Sequence, residues 1–260
     1  MQTRELGIGG KIGIALSLTG VGGFVDAVGY VALFQIFTAN MSGNSVHVGI
    51  DLGRLDFSDL MRPACAISAY VTGVVLTRIT VQAAARNEIK RIASFTLATE
   101  ALLLLLFARA TPAMHLGEIV ELHSRTYFLL VALLAFAMGV QTATLTHIGP
   151  LTIYTTFVTG TLTKFAESLT RVLFWSYDQF RGWGRISDIV RLAPKQEDVR
   201  HTALLASTWI CYLLGAAIGT ITKQKWELRA LYGPVIVLVA FVVVDQFRPI
   251  CIDEERHQQG

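Results

Sequence analysis

The chain has 260 residues, 53% of them hydrophobic and 16% charged, with a formal net charge of +3 and a mean hydropathy of +0.52. A soluble domain carries about 25% charged residues, so too few are present here to cover a water-facing surface. With only six Pro and three Cys, this balance excludes a soluble globular domain, a disordered chain, a collagen-like repeat and a small disulfide scaffold; it predicts an all-α, polytopic membrane bundle.

One crossing takes roughly 20 residues, so the chain has room for six to eight. Arg4 and Lys11 precede the first apolar run. No cleavage site follows, and the run exceeds a signal-peptide core, so it is expected to stay as the first span. Apolar stretches then follow at roughly 12–36, 37–53, 63–85, 92–109, 127–148, 151–175, 202–222 and 230–247. The stretch at 37–53 is polar and Gly-rich, too polar for a lipid-facing span. Between the last three stretches lies 176–200, which mixes Arg and Asp with Phe180, Trp183, Ile186, Ile189, Val190 and Leu192. It reads either as a helix in the membrane interface or as an ordinary loop.

An internal repeat organises these stretches. Residues 23–27 (GFVDA) align with 139–143 (GVQTA), and 37–44 (FTANMSGN) align with 154–161 (YTTFVTGT) after a one-residue slip. Tyr70-Val-Thr-Gly73 matches Tyr212-Leu-Leu-Gly215. Gly43 to Tyr70 is 27 residues and Gly160 to Tyr212 is 52; the difference of 25 is the length of the 176–200 insert. The chain is therefore expected to be one membrane domain, 1–260, made of pseudo-symmetric halves at 1–112 and 113–260. If the polar segments dip in and return, each half has three crossings and the second is inverted. If they cross, the halves are parallel. With a cytoplasmic N-terminus both topologies put 15 Lys and Arg inside and seven outside, so the positive-inside rule does not separate them. Both place the two termini and the 176–200 insert in the cytoplasm. The polarity of 37–53 favours about six crossings, two re-entrant or broken segments and inverted halves.

Few ionisable residues remain inside the spans. Asp26 lies in an otherwise uncharged run from Ile12 to Phe34, and an acidic group at the bilayer centre costs about 2.5–3.5 kcal/mol on insertion scales. It must face a cavity or a partner; it could also cap the neighbouring broken segment. Glu100 sits mid-span under the same argument, suited to a proton step or to a helix–helix hydrogen bond. His47 could titrate near neutral pH or serve as hydrogen-bonded structure. Asn40, Ser42, Gly43 and Asn44 in one half, and Thr159, Gly160 and Thr161 in the other, have the composition needed where a helix breaks inside a membrane. Two such breaks would aim positive helix ends at one point, suiting an anionic or polar solute; Gly beside Ser or Thr also serves tight helix packing. Gln141 and Thr142 would complete such a site, with Asp26, Glu100 and His47 coupling a proton or cation.

Catalytic and cofactor motifs (H-E-x-x-H, G-x-S-x-G, C-x-x-C, Walker A, G-x-G-x-x-G) are absent from the sequence, and Cys65, Cys211 and Cys251 lack metal-ligand spacing. No enzyme activity, metal or cofactor is expected. Intramembrane catalysis would require Asp26 and Glu100, or His47, to share one pocket. No basic run interleaved with aromatics suggests nucleic acid. The bilayer and a small solute are the partners expected, and a homo-oligomer is left open.

The block GGFVDAVGYVALFQIFTANMSGN at 22–44 resembles the signature of the YoaK-like family of small bacterial inner-membrane proteins, which pairs an Asp-Ala in the first span with a following Thr-Gly-Asn motif. Gly139-Val-Gln141-Thr142-Ala143 and Thr155 to Thr163 resemble the second block of that family. Ser42 stands where Thr is usual, keeping the hydroxyl. Thr142 stands where Asn is usual, which removes an amide ligand. The resemblance implies about six spans in a bacterial inner membrane and an uncharacterised function; it supplies no substrate. A transporter or channel, a non-transporting scaffold or assembly factor, and an intramembrane enzyme are the three readings carried forward, in that order.

Overall fold

The structure is a computed structural model that describes residues 6–87, 89, 91–110, 124–144, 147–148, 151–152, 158–183 and 192–250. It is a bundle of helices: α1 (Ile8–Ala32), α2 (Met41–Arg54), α3 (Phe57–Arg86), α4 (Ile92–Ala110), α5 (Arg125–Thr144), α6 (Val158–Trp183), α7 (Glu197–Trp226) and α8 (Tyr232–Phe247). A two-residue antiparallel pairing of His147–Ile148 with Leu151–Thr152 follows α5. Five stretches among the described residues are long and apolar enough to cross a membrane: α1, α3, α4, α5 and the 51 residues from Glu197 to Phe247. A helix of that last length would run about 76 Å, more than twice the ~30 Å hydrocarbon core. It is broken at Glu227, whose φ of 51° ends α7 before a short 3-10 turn over Glu227–Leu231. Glu197 and Asp198 open α7 and Lys223 and Lys225 close it, each sign complementing the helix dipole.

α2 and α6 are not among the candidate spans. At 14 residues, α2 is only about 21 Å long. α6 is strongly amphipathic: Leu173, Phe174, Tyr177 and Phe180 are exposed along one stripe. The sequence puts an interface element at 176–200. The structure instead continues α6 without interruption to Trp183 and begins α7 at Glu197, because nothing between Leu162 and Phe180 breaks a helix. Residues 184–191 of that element lie outside the described residues.

Contacts fix how the helices run. Ala15 packs with Leu204, Gly20 approaches Cys211 and Gly215, and Phe24 approaches Gly219. The numbers rise together, so α1 and α7 are parallel. Cys65 reaches Phe128, and Gly73 reaches Phe136 and Gly139, which makes α3 and α5 parallel. Leu18 meets Gln141, Gly29 meets Leu134 and Leu33 meets Tyr127, so α1 and α5 are opposed. Ser94 meets Asp245 and Arg109 meets Tyr232, so α4 and α8 are opposed. Glycine permits the closest of these approaches. A Cβ on Gly23 would meet the Tyr212 carbonyl, and one on Gly139 the Tyr70 carbonyl, both far inside van der Waals contact. Backbone approach of this kind, rather than hydrophobic transfer, holds helices together in lipid. Hydroxyls in the spans are silenced locally: Thr19, Thr72, Thr80, Thr99 and Thr144 each donate to the carbonyl four residues back, as a low-dielectric surrounding requires.

Candidate functional site

After α1 the chain turns sharply. Phe34 and Gln35 take left-handed φ of 51° and 69°, a region costly for residues with a Cβ. The turn is tied down from outside: Arg62 donates to the Phe34 carbonyl at 2.7 Å, and Tyr127 of α5 donates to the Leu33 carbonyl at 2.8 Å. Residues 36–40 then run back beside α1, where Thr38 lies against Gly29, and α2 starts from that depth. The chain thus breaks at the start of the polar stretch 37–53, between Ala32 and Met41.

Asp26 organises it. Its side chain is buried, and Oδ1 accepts from the Thr38 and Ala39 amides at 2.8 and 2.7 Å and from the Thr38 hydroxyl at 3.2 Å. Oδ2 accepts from the Tyr212 hydroxyl of α7 at 2.7 Å. One carboxylate thus satisfies backbone donors freed by the break and bridges them to a helix 186 residues away. Neighbouring amides support the same segment. Asn44, fully buried, accepts from the Phe37 amide at 3.1 Å and donates to the Phe37 carbonyl at 2.7 Å. Asn40 caps α2 by accepting from the Gly43 amide at 3.3 Å and the Ser42 hydroxyl at 2.7 Å. Gly43 has no room for a Cβ, because the Phe37 ring would stand 2.8 Å away. His47 is half-buried two turns along α2 from this cap.

The second-half residues are distributed differently. Thr142 accepts from the Tyr70 hydroxyl of α3 at 3.1 Å and donates to the Met138 carbonyl at 2.8 Å. Gln141 is buried and donates to the Leu18 carbonyl, and its Oε1 has no partner among the described residues. Thr159 is exposed at the start of α6, Gly160 is half-buried and Thr161 is buried. The break expected before them, at 153–157, lies outside the described residues. The partners of Asp26, Asn40, Ser42 and Asn44 are Thr38, Ala39, Tyr212, Phe37, Met41, Gly43 and one another. None is Gln141, Thr142, Thr159 or Thr161. Glu100 is fully buried, and neither carboxyl oxygen has a partner among the described residues; it shares no hydrogen bond with Asp26. Among the described residues no group of three His, Cys, Asp or Glu is placed to hold a metal.

Three functional contacts escape a reading for charges in spans. Tyr70 and Tyr212 are visible in the sequence only as repeat markers, yet their hydroxyls donate to Thr142 and Asp26. Asp245 is buried near the end of α8, accepting from the Ser94 amide at 3.1 Å, from the Ser94 hydroxyl and from the Ile250 amide at 2.6 Å. A lone Asp in an apolar run was its signal, hidden by its place near the end of the span. Ser168, Thr202 and the Arg171–Asp198 pair at 3.0 Å join α6 to α7.

Residues 14–244 match the family described as Protein of unknown function (DUF1275). The chain belongs to the DUF1275 family. It is also 25% identical over 226 residues to the UPF0700 transmembrane protein YoaK of Bacillus subtilis (strain 168), covering 87% of this chain and 90% of the relative. The YoaK-like assignment drawn from the two sequence blocks is therefore borne out, and the Asp26 and Gly43 blocks both fall inside the DUF1275 match. No solved structure matches. This DUF1275 member is a multi-pass membrane protein whose polar interior centres on Asp26.

Proposed function

We propose that this chain is a non-catalytic transporter or channel for a small polar or anionic solute, made of two inverted halves in a bacterial inner membrane with both termini cytoplasmic. The observation that carries the reading is the buried Asp26 carboxylate, held in the last third of α1 between the backbone of the broken segment and a hydroxyl from the other half of the chain. A proton on one carboxyl oxygen replaces an acceptor with a donor there and removes the charge that strengthens the bonds to the other oxygen, so occupancy by a proton loosens the tie between 38–39 and α7. That is the physical content of a coupling residue.

The helix directions support the inverted repeat. In the alignment α1 corresponds to α5, α3 to α7 and α4 to α8; α1 opposes α5, and α4 opposes α8. Contacts between the halves also come in equivalent pairs. Gly23 against Tyr212 corresponds to Gly139 against Tyr70, and Gly215 against Gly20 corresponds to Gly73 against Phe136. The Tyr212–Asp26 and Tyr70–Thr142 hydrogen bonds are the same pair again.

The test is proton movement in proteoliposomes carrying an internal pH dye, challenged in turn with chloride, acetate, sulfate and inorganic phosphate. Coupled proton flux with one of them, lost in Asp26→Asn at equal reconstitution, is the expected result. Flux equal to that of protein-free liposomes under every condition would sink the transport reading. A scaffold is the second reading, and one observation favours it: both carboxylate oxygens of Asp26, the Asn40 Oδ1, the Ser42 hydroxyl and the Asn44 amide find partners inside the segment or on Tyr212, as a structural knot would require.

A further inference from the structure

α8 packs along α4 and leaves α7, so α1, α7 and α8 enclose a groove of about 490 Å³. Its walls include Gly20 and Phe24 of α1, Leu214 and Ile218 of α7, and Gly233 and Val237 of α8. Leu214, Ile218 and Gly233 are exposed, so the groove is open to the surroundings of the spans. Gly20 is the middle residue of α1, and Cys211, also on the wall, is at the middle of α7. The groove thus spans the middle of α1 and α7, and its outer end, at Gly233, reaches the start of α8. The wall presents almost nothing polar: the Ser17 hydroxyl at its edge is turned back onto the Gly13 carbonyl at 2.9 Å.

We infer that this groove binds one acyl chain of an anionic phospholipid, with the phosphate beside Lys225 and Arg229. A ligand pocket holds roughly 300–1,000 Å³, and an extended hydrocarbon chain is the apolar occupant always present at this depth. The charge sits at the matching level. Lys225 is 14 residues beyond Cys211, about 21 Å along the helix and past the ~15 Å half-thickness of the hydrocarbon. Lys225 and Arg229 are exposed and make no ion pair among the described residues, and Trp226 between them is exposed at 61%. Two cations beside an interfacial Trp at the mouth of an apolar slot select an anionic headgroup rather than a zwitterionic one.

The protein in nanodiscs, with phosphatidylglycerol or phosphatidylcholine carrying a diazirine in one acyl chain, tests this by peptide mapping after irradiation. Phosphatidylglycerol is expected to label peptides around Leu214–Ile218 and Gly233–Val237 about fivefold or more above the equally exposed Val71–Ile79 face of α3. A Cβ on Gly233 meets nothing within 4 Å, so Gly233→Leu fills the slot without touching backbone. It should bring that labelling to the α3 level, as should Val237→Trp, while Val243→Trp, off the groove on the same helix, leaves it unchanged. Lys225→Ala with Arg229→Ala should equalise the two lipids. Uniform labelling, labelling indifferent to filling in a variant of unchanged melting temperature, or cross-links between two copies through the groove would overturn the assignment. A phosphatidylcholine signal equal to phosphatidylglycerol in the unmodified protein would overturn the headgroup choice. None of these outcomes depends on transport.

Discussion

Replacing Gly73 by Ala tests whether backbone approach between α3 and α5 holds the bundle. The added Cβ would stand 2.5 Å from the Phe136 carbonyl oxygen and 3.3 Å from the Gly139 Cα, where real Cβ contacts essentially never fall below 3.0 Å. The helices must therefore part by at least 0.5 Å (3.0 − 2.5), and by 0.9 Å to reach ordinary contact at 3.4 Å. A gap of about 0.5–1 Å forfeits a quarter to a half of each ~0.15 kcal/mol contact, so roughly 40 atom pairs lose about 1.5–3 kcal/mol. Ala returns up to ~1 kcal/mol in helix propensity. The net destabilisation is about 0.5–2 kcal/mol, a fall in melting temperature of roughly 1–8 °C for a chain of this size. Gly49→Ala is the control, since its Cβ meets nothing within 4 Å; it should gain up to ~1 kcal/mol. Thermal unfolding of both variants in one detergent reads the sign. Gly73→Ala melting at or above the unmodified protein would refute the packing argument, because helix propensity alone would then decide.

Tyr212→Phe should cost about 1.5–3 kcal/mol, because it strips a donor from a carboxylate, whereas Tyr70→Phe, which frees a hydroxyl already bonded to Met138, should cost about 1 kcal/mol or less. Equal melting shifts for the two would show that Asp26 carries no charge worth stabilising. Asp245→Ala leaves the buried Ser94 and Ile250 amides without an acceptor, a loss of roughly 1–3 kcal/mol for each, and hydrogen exchange at the start of α4 should accelerate. Glu100→Met removes two buried, unpartnered oxygens at similar volume. It should leave stability unchanged or raise it by about 1–4 kcal/mol, and a lowered melting temperature would reveal a partner for the carboxyl.

The helices were legible because membrane spans announce themselves by length and apolarity. The stretches at 63–85, 92–109 and 230–247 lie within a few residues of α3, α4 and α8. The helix break in 37–53 could be read from its polarity, and the burial of Asp26 among partners from the cost of its charge. What the sequence did not carry was partnership. Nothing local in Tyr212 says that its hydroxyl reaches Asp26 rather than water, since a phenol tolerates either surrounding. The residues gathered from both halves were chosen by composition, yet hydrogen bonds within each segment satisfy Asn40, Ser42 and Asn44 before any long-range contact forms. Local geometry supplies a short polar side chain with a backbone partner three to seven residues away. The end of α6 was not legible for a related reason: 176–200 reads equally as an interfacial helix or a loop, and nothing local marks where the amphipathic helix that starts at Val158 stops.

The asymmetry between Asp26 and Thr142 ties these threads together. Both receive a tyrosine hydroxyl from the opposite half, at 2.7 and 3.1 Å. Thr142 discharges its own donor on Met138 within its helix, so it needs nothing from a neighbouring loop. Asp26 has no donor to discharge and a charge to stabilise, and it stands beside backbone amides at Thr38 and Ala39 that left helical geometry inside the membrane. Each of those amides would cost several kcal/mol unpaired in lipid, and the carboxylate would cost about 2.5–3.5 kcal/mol alone. Brought together, each offsets the other. The charge and the break therefore stand or fall as a unit, so a hydroxyl such as Thr at position 26 would abolish the charge but strand at least one of the two amides.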